Sequence, residues 1–126
     1  MQEDIVQGKD TGLGRTKREE RDSFKVDISR IVLGQDIRTT MMIKNIPNKY
    51  TDTKLLESID VTMKDKYDFI YLPIDYRNNC NMGYAFINFI HPIFVPEFHH
   101  SFNNTKWNHF KSEKICEITY GRIQGK

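Results

Sequence analysis

The amino-acid sequence predicts an α+β domain, a four-stranded antiparallel sheet backed by two helices, and three observations carry that expectation. The stretch Met82-Gly83-Tyr84-Ala85-Phe86-Ile87-Asn88-Phe89 alternates strictly. As a strand it sends Gly83, Ala85, Ile87 and Phe89 to one face and Met82, Tyr84, Phe86 and Asn88 to the other. Upstream lies a second apolar run, Met41-Met42-Ile43-Lys44-Asn45-Ile46, followed by Pro47. Between and after these two runs the patterning follows the order strand, helix, strand, strand, helix, strand.

The elements follow in chain order. Residues 1–22 are polar, with Gly8, Gly12, Gly14 and the mixed-charge run Arg15 to Asp22, and offer no apolar face. They are expected to be a disordered leader. Residues 23–38, with Phe24, Val26, Ile28, Ile31, Val32 and Leu33, are expected to pack on the domain edge as a short strand or a turn of helix, ended by Gly34. The domain proper is placed at 39–126. Thr39 to Asn45 is the first strand, with Met41 and Ile43 inward and Met42 and Lys44 on the outward face shared with Tyr84 and Phe86. After the turn Pro47-Asn48-Lys49, Thr51 or Asp52 can cap a short helix whose Leu55, Leu56 and Ile59 face the core.

Tyr67 to Leu72 is the second strand, closed by Pro73. One register points Ile70 and Leu72 inward and lets Tyr67, Phe69 and Tyr71 extend the aromatic face; the other buries the rings. The first is preferred, because Asp68 near the strand end finds water either way. Asp75 to Asn81 is a polar, turn-forming loop suited to clasping a backbone. Pro92 to Phe102 reads as a helix with Ile93, Phe94, Val95, Phe98 and Phe102 available for burial, kinked at Pro96 or starting near it. Asn103-Asn104-Thr105 turns the chain, Ile115 to Tyr120 is the last strand, and Gly121 to Lys126 trails from its end. This order is the split βαβ pattern of ferredoxin-like βαββαβ sandwiches.

The totals exclude several classes. A chain of 126 residues suffices for one modest domain without disulfides or metal. Cys80 and Cys116 lack C-x-x-C spacing, and the first residues lack the basic and apolar regions of a secretory signal. An intracellular protein, in nucleus or cytoplasm or both, is therefore expected. No apolar run is long enough to span a membrane as a helix, so no membrane partner is expected. The net charge is only +2. Of the 19 basic and 17 acidic side chains, residues 1–38 hold eight of each, which leaves eleven and nine for the rest. Any positive potential must come from placement rather than quantity.

The octamer at 82–89 fits seven of the eight positions of the RNA-recognition-motif signature, with Met82 in the usually basic place. The hexamer at 41–46 is its partner, with Met42 where most such domains carry a ring. More narrowly, the chain from Phe24 to Lys126 resembles the C-terminal RNA-recognition motif of the Mei-two-like family of meiotic RNA-binding proteins. The strings that carry the resemblance are Arg38 to Tyr50, Tyr67 to Asp75, Gly83 to Phe89, Ser112 to Ile115 and Arg122 to Lys126. The resemblance places the family's stacking positions on Tyr84 and Phe86, with Met42 in the third. It implies binding of single-stranded RNA and a role in meiosis or development through RNA fate rather than catalysis. Members of that family are commonly longer and continue beyond the Gln-Gly-Lys with which this chain stops.

The candidate RNA-binding residues are thus Met42, Lys44, Tyr71, Arg77, Tyr84, Phe86, Asn88 and Arg122. Tyr84 and Phe86 would each stack a base. Lys44, Arg77 and Arg122 would neutralise phosphates, Met42 would pack on a sugar or base, and Asn88 would hydrogen-bond a base edge or a 2′-hydroxyl. The plainer alternatives are half-buried strand aromatics and solvated surface charges. No enzyme is expected, since no acid, base and nucleophile grouping has motif spacing. No cofactor or metal is expected either, because adjacent His99 and His100 on a helix point about 100° apart. The rival reading is a protein-interaction module in which the same fold docks a protein partner without RNA.

Overall fold

The computed structural model describes residues 17–107 and 112–124. Most of the expected leader, residues 1–16, lies outside them. Its last part differs from expectation, because Lys17–Ser23 is a helix (α1) with no buried residue. Local terms support it: Arg18 and Asp22 are spaced i, i+4, and the Ser23 hydroxyl donates to the Glu20 carbonyl. A second short helix, α2 (Ile28–Val32), is capped by Asp27, whose carboxylate accepts from the Ser29 N–H.

The expected elements then follow. Strand β1 (Thr40–Lys44) leads to helix α3 (Asp52–Met63), whose cap Thr51 accepts from the Lys54 N–H. Strand β2 (Tyr67–Tyr71) precedes a small hairpin, β3 (Ile74–Asp75) and β4 (Cys80–Asn81), where a loop was expected. Strand β5 (Tyr84–Phe89) and helix α4 (Phe94–Phe102) come next. Pro96 is tolerated because it falls in the first turn of α4, where N–H groups have no intrahelical partner. Finally β6 (Thr105–Lys106) pairs with β7 (Ile115–Tyr120).

The main sheet has the order β2-β5-β1-β7-β6, so the four expected strands are antiparallel neighbours and β6 adds a short edge. The inner face supplies Met41, Ile43, Ala85, Ile87, Phe89, Cys116 and Ile118 to the core; the helices supply Leu55, Ile59, Met63, Val95 and Phe98. Leu56 is only partly covered. Ile93, expected inside, is 55% exposed because it precedes the first turn of α4 rather than lying on its inner face. The loop connections are held by Asn81, whose amide donates to the carbonyls of Pro47 and Tyr50 and accepts from the Gly83 N–H.

Gly83 has φ +89° and hands its carbonyl to the Ile46 N–H, joining the octamer to the end of β1. A Cβ there would meet nothing within 4 Å, so the requirement for glycine is one of backbone conformation alone. Gly83→Ala is expected to destabilise the domain by about 1–2 kcal/mol with no change in the extent of unfolding, measured as a lower urea midpoint at constant m-value.

The segment before β1 is tied to the sheet. Tyr120 N–H donates to the Phe24 carbonyl, and Phe24, Val26 and Ile31 pack on the core. Arg38 secures it further by donating from Nη1 to the Ser23 carbonyl, lying 3.8 Å over the Tyr120 ring and pairing with Asp36 at 2.7 Å. The Arg38 hydrogen bond, with its charge and that of Arg30, holds the Asp36 carboxyl below its ordinary value of 3.8. Because the folded value is the lower one, this stabilisation is present above the unfolded value and is lost as pH falls through the folded one. Acidification below about pH 4 is expected to loosen Ser23 and Phe24, seen as NMR shift changes that Asp36→Asn removes.

Candidate functional site

Alternation along three neighbouring strands collects the outward side chains. Met42 is opposite Phe86 and Lys44 opposite Tyr84, while Tyr71 is opposite Phe86 on the other side. Thr40, Met42, Phe69, Tyr71, Tyr84, Phe86, Asn88, Arg122 and Ile123 line one cleft of about 460 Å³ on the outer face. Phe69 is 49% and Tyr71 54% exposed, whereas Tyr84 and Phe86 are half-buried. The rings of Tyr84 and Phe86 stand 5.7 Å apart at 78°, so each presents its face in a different direction. An arrangement of this kind can stack separate planar groups, one per ring.

The preferred register of β2 holds for Phe69, Ile70, Tyr71 and Leu72 and fails at Tyr67. A bulge between Tyr67 and Phe69 shifts the pairing, so Tyr67 stands opposite Phe89 and packs on the core. Its hydroxyl donates to Asp60 at 2.7 Å. Burial, then that hydrogen bond, pushes the phenol up to about 12. The residue absorbed by the bulge, Asp68, accepts from Asn88 Nδ2 at 2.9 Å.

Asn88 therefore does not present a free amide to a ligand. It is 5% exposed, and its Oδ1 accepts from the hydroxyls of Thr39 and Thr40 at 2.8 and 2.7 Å. Since the Asp68 carboxylate can only accept, the amide orientation is fixed, and three of its four hydrogen-bonding positions are filled. The physical reason is a polar residue on a crowded face: buried without partners it would be costly, so neighbouring strands satisfy it.

The other candidates divide. Lys44 and Arg122 reach the outer face, Lys44 across from Glu117 and Arg122 with its guanidinium 4.8 Å from the Phe24 ring centroid. Arg77 is exposed in the turn between β3 and β4 and is not among the residues that line the cleft. The sequence reading also missed the wall of the cleft. Ile123 is 82% exposed yet lines it, because the C-terminal segment folds back over β1. Gln124 makes the fold-back: Oε1 accepts from the N–H groups of Thr39 and Thr40, and Nε2 donates to the carbonyls of Thr40 and Gly121. No local pattern announces a side chain that pairs with backbone so distant in sequence.

Among the described residues no three His, Cys, Asp or Glu side chains are grouped to hold a metal ion. No helix among them is long and apolar enough to cross a membrane.

A family model described as RNA recognition motif 2 matches residues 38–126. The chain is 55% identical over 107 residues to Protein MEI2-like 4 of Arabidopsis thaliana, covering 85% of this chain and 12% of that protein. It is 56% identical over 103 residues to Protein MEI2-like 4 of Oryza sativa subsp. japonica, covering 82% and 10%. The chain thus spans only about a tenth of the length of these curated relatives. Among solved structures, the Sxl-lethal protein/RNA complex superposes with a TM-score of 0.57 at 19% identity, covering 71% of this chain and 50% of that one. The second RRM domain of yeast poly(U)-binding protein Pub1 does so with 0.52 at 14% identity, covering 69% and 99%. At these identities the structural likeness shows the fold: a ferredoxin-like sandwich.

Proposed function

The chain belongs to the RNA recognition motif 2 family, and from that premise we propose that its outer sheet face binds single-stranded RNA. The observation that carries the reading is the cleft itself: four rings and a thioether, two of the rings exposed and the rest half-buried, gathered on one face of a sheet whose other face is already the core. Apolar surface of that kind is costly in water unless a partner covers it, and flat rings suit bases because every base has a π-face.

In this reading Tyr84, Phe86 and Tyr71 stack bases, Met42 packs on a sugar or base, and Lys44 and Arg122 meet phosphates. Phe69, on the same face, joins the stacking set. Asn88 acts by bracing β1, β5 and Asp68 rather than by reading the ligand. Arg77 contributes to backbone contact only where RNA runs beyond the cleft toward the hairpin. The relatives are named MEI2-like, and we read the domain's role as acting on RNA fate in meiosis or development, in the nucleus, the cytoplasm or both, without catalysis.

The test is fluorescence anisotropy of labelled single-stranded RNA at two salt concentrations, with the wild type and Tyr84→Ala/Phe86→Ala. Binding by the wild type that weakens as salt rises, and weakens in the folded double variant, supports the reading. Equal binding by both proteins, or none by either, retires it in favour of a protein-interaction module.

A further inference from the structure

Beside the aromatic cleft lies a second, smaller one of about 190 Å³, whose lining includes Arg21, Lys25, Met42, Lys44, Glu117 and Arg122. Its chemistry differs from that of the first. Four of its side chains are cationic and one, Glu117, is acidic; Asp22 also approaches, pairing with Lys25 at 3.2 Å on an exposed surface. Exposed pairs of this kind are weak and exchange readily with other anions. Met42 and Arg122 line both clefts, so the two meet at those side chains.

Two of the cations, Arg21 and Lys25, come from the segment before β1, which lies outside the matched residues 38–126. That segment is nevertheless held in place. The Tyr120 N–H donates to the Phe24 carbonyl at 2.8 Å, Arg38 donates to the Ser23 carbonyl at 2.8 Å, and Phe24 packs against the core beneath Arg122. The backbone between Arg21 and Lys25 is also turned upon itself, with Phe24 N–H donating to the Arg21 carbonyl and Lys25 N–H to the Asp22 carbonyl. Both cationic side chains are exposed, Lys25 within its pair with Asp22. The result is a preorganised basic rim, not a loose tail, along the side of the sheet opposite β2.

We propose that the segment 21–25 is a phosphate-binding arm that extends the RNA site past Met42, across β7, with Arg21 and Lys25 joining Lys44 and Arg122 on the sugar-phosphate backbone of one continuous strand. The inference rests on the sheet face being the RNA platform. Strands lie about 4.8 Å apart, so the platform over β2, β5 and β1 covers roughly 10 Å, and crossing β7 to the arm adds a similar distance. RNA long enough to fill only the aromatic cleft gains nothing from the arm; RNA about twice as long reaches it.

The experiment is anisotropy of fluorescein-labelled, mixed-sequence single-stranded RNA of about four and about eight nucleotides. It uses the whole chain as wild type, Arg21→Ala/Lys25→Ala, Arg21→Lys and Tyr84→Ala/Phe86→Ala, over a range of salt. Neither arm side chain is buried, and alanine suits the helix at position 21, so the arm variant should keep the wild-type melting temperature. With each single-strand phosphate contact contributing about 0.7 to the slope of log K against log salt, the arm variant should lose about 1.4 of that slope. It should lose about 25-fold in affinity for the longer RNA at 0.1 M salt, with the shorter RNA unaffected and Arg21→Lys close to wild type. Unchanged affinity and slope for the longer RNA in the arm variant, while Tyr84→Ala/Phe86→Ala still weakens binding, overturns the arm and leaves the platform standing. Equal loss for both RNA lengths assigns the arm a structural role and overturns it too. Absence of RNA binding by the wild type overturns platform and arm together.

Discussion

Replacing Tyr84 and Phe86 together by alanine is expected to weaken single-stranded RNA binding by at least tenfold while leaving the domain folded. Each base stacked on an aromatic ring is worth roughly 1–3 kcal/mol, so removing two rings takes away about 2–6 kcal/mol if both carry a base. The lower end of that range already corresponds to roughly thirtyfold, since each 1.4 kcal/mol is a factor of about ten. Phe69 and Tyr71 remain on the same face of the variant and can take up a displaced base, which is why tenfold is the floor. The fold should survive, because both rings stand on the outer face and neither belongs to the buried core. Circular dichroism and a melting curve establish that; anisotropy at constant salt then measures the loss. An undiminished affinity in the folded variant would remove the sheet face as the RNA site.

The largest stability effect is expected at the opposite face. Phe98 on α4 is fully buried, with ring centroids 4.9 Å from Phe89 on β5 and 5.1 Å from Phe102. It joins the helical layer to the sheet through aromatic contact as well as burial. Phe98→Ala is expected to cost about 3–5 kcal/mol, the sum of lost transfer energy and the cavity left where rigid neighbours cannot close in. Against a total of about 5–15 kcal/mol for a domain, that removes a large share of the stability and should lower the urea midpoint markedly. Val61→Ala, on the exposed side of α3 at 80% exposure, supplies the contrast: a shift within about 0.5 kcal/mol. Comparable losses at both positions would mean that the α4–β5 contact is not a principal source of stability.

Much of the platform is legible in the chain because strand geometry is local. A period of two assigns Met42, Lys44, Tyr84 and Phe86 to one face, and burial of Met41, Ile43, Ala85 and Ile87 on the other agrees. The helix over 52–63 is equally local, being announced by Thr51 and the spacing of Leu55 and Ile59. Tyr67 shows where such reasoning stops. Strict alternation carries it to the aromatic face, but a single extra residue in β2 turns it to the core, and the pairing that creates the bulge involves β5 rather than neighbours in sequence. Asn88 stops it differently: the period assigns its face correctly, yet its role depends on whether Thr39, Thr40 and Asp68 reach it.

The sequence by itself determined the order of the four main strands and the two longer helices, the two faces of the central strands and the family, because these rest on periodicity, turn chemistry and signature residues close together in the chain. The tertiary structure alone decided the boundaries of the site. Gln124 folds the C-terminal segment over β1, Tyr120 and Arg38 fasten the segment around Phe24 to the sheet, and Asp68 draws in the amide of Asn88. Each of these is a polar group finding its partner across the fold. Local patterning sets which way a side chain faces, but hydrogen-bond satisfaction is settled by whatever distant backbone and side chains the packed core brings within reach.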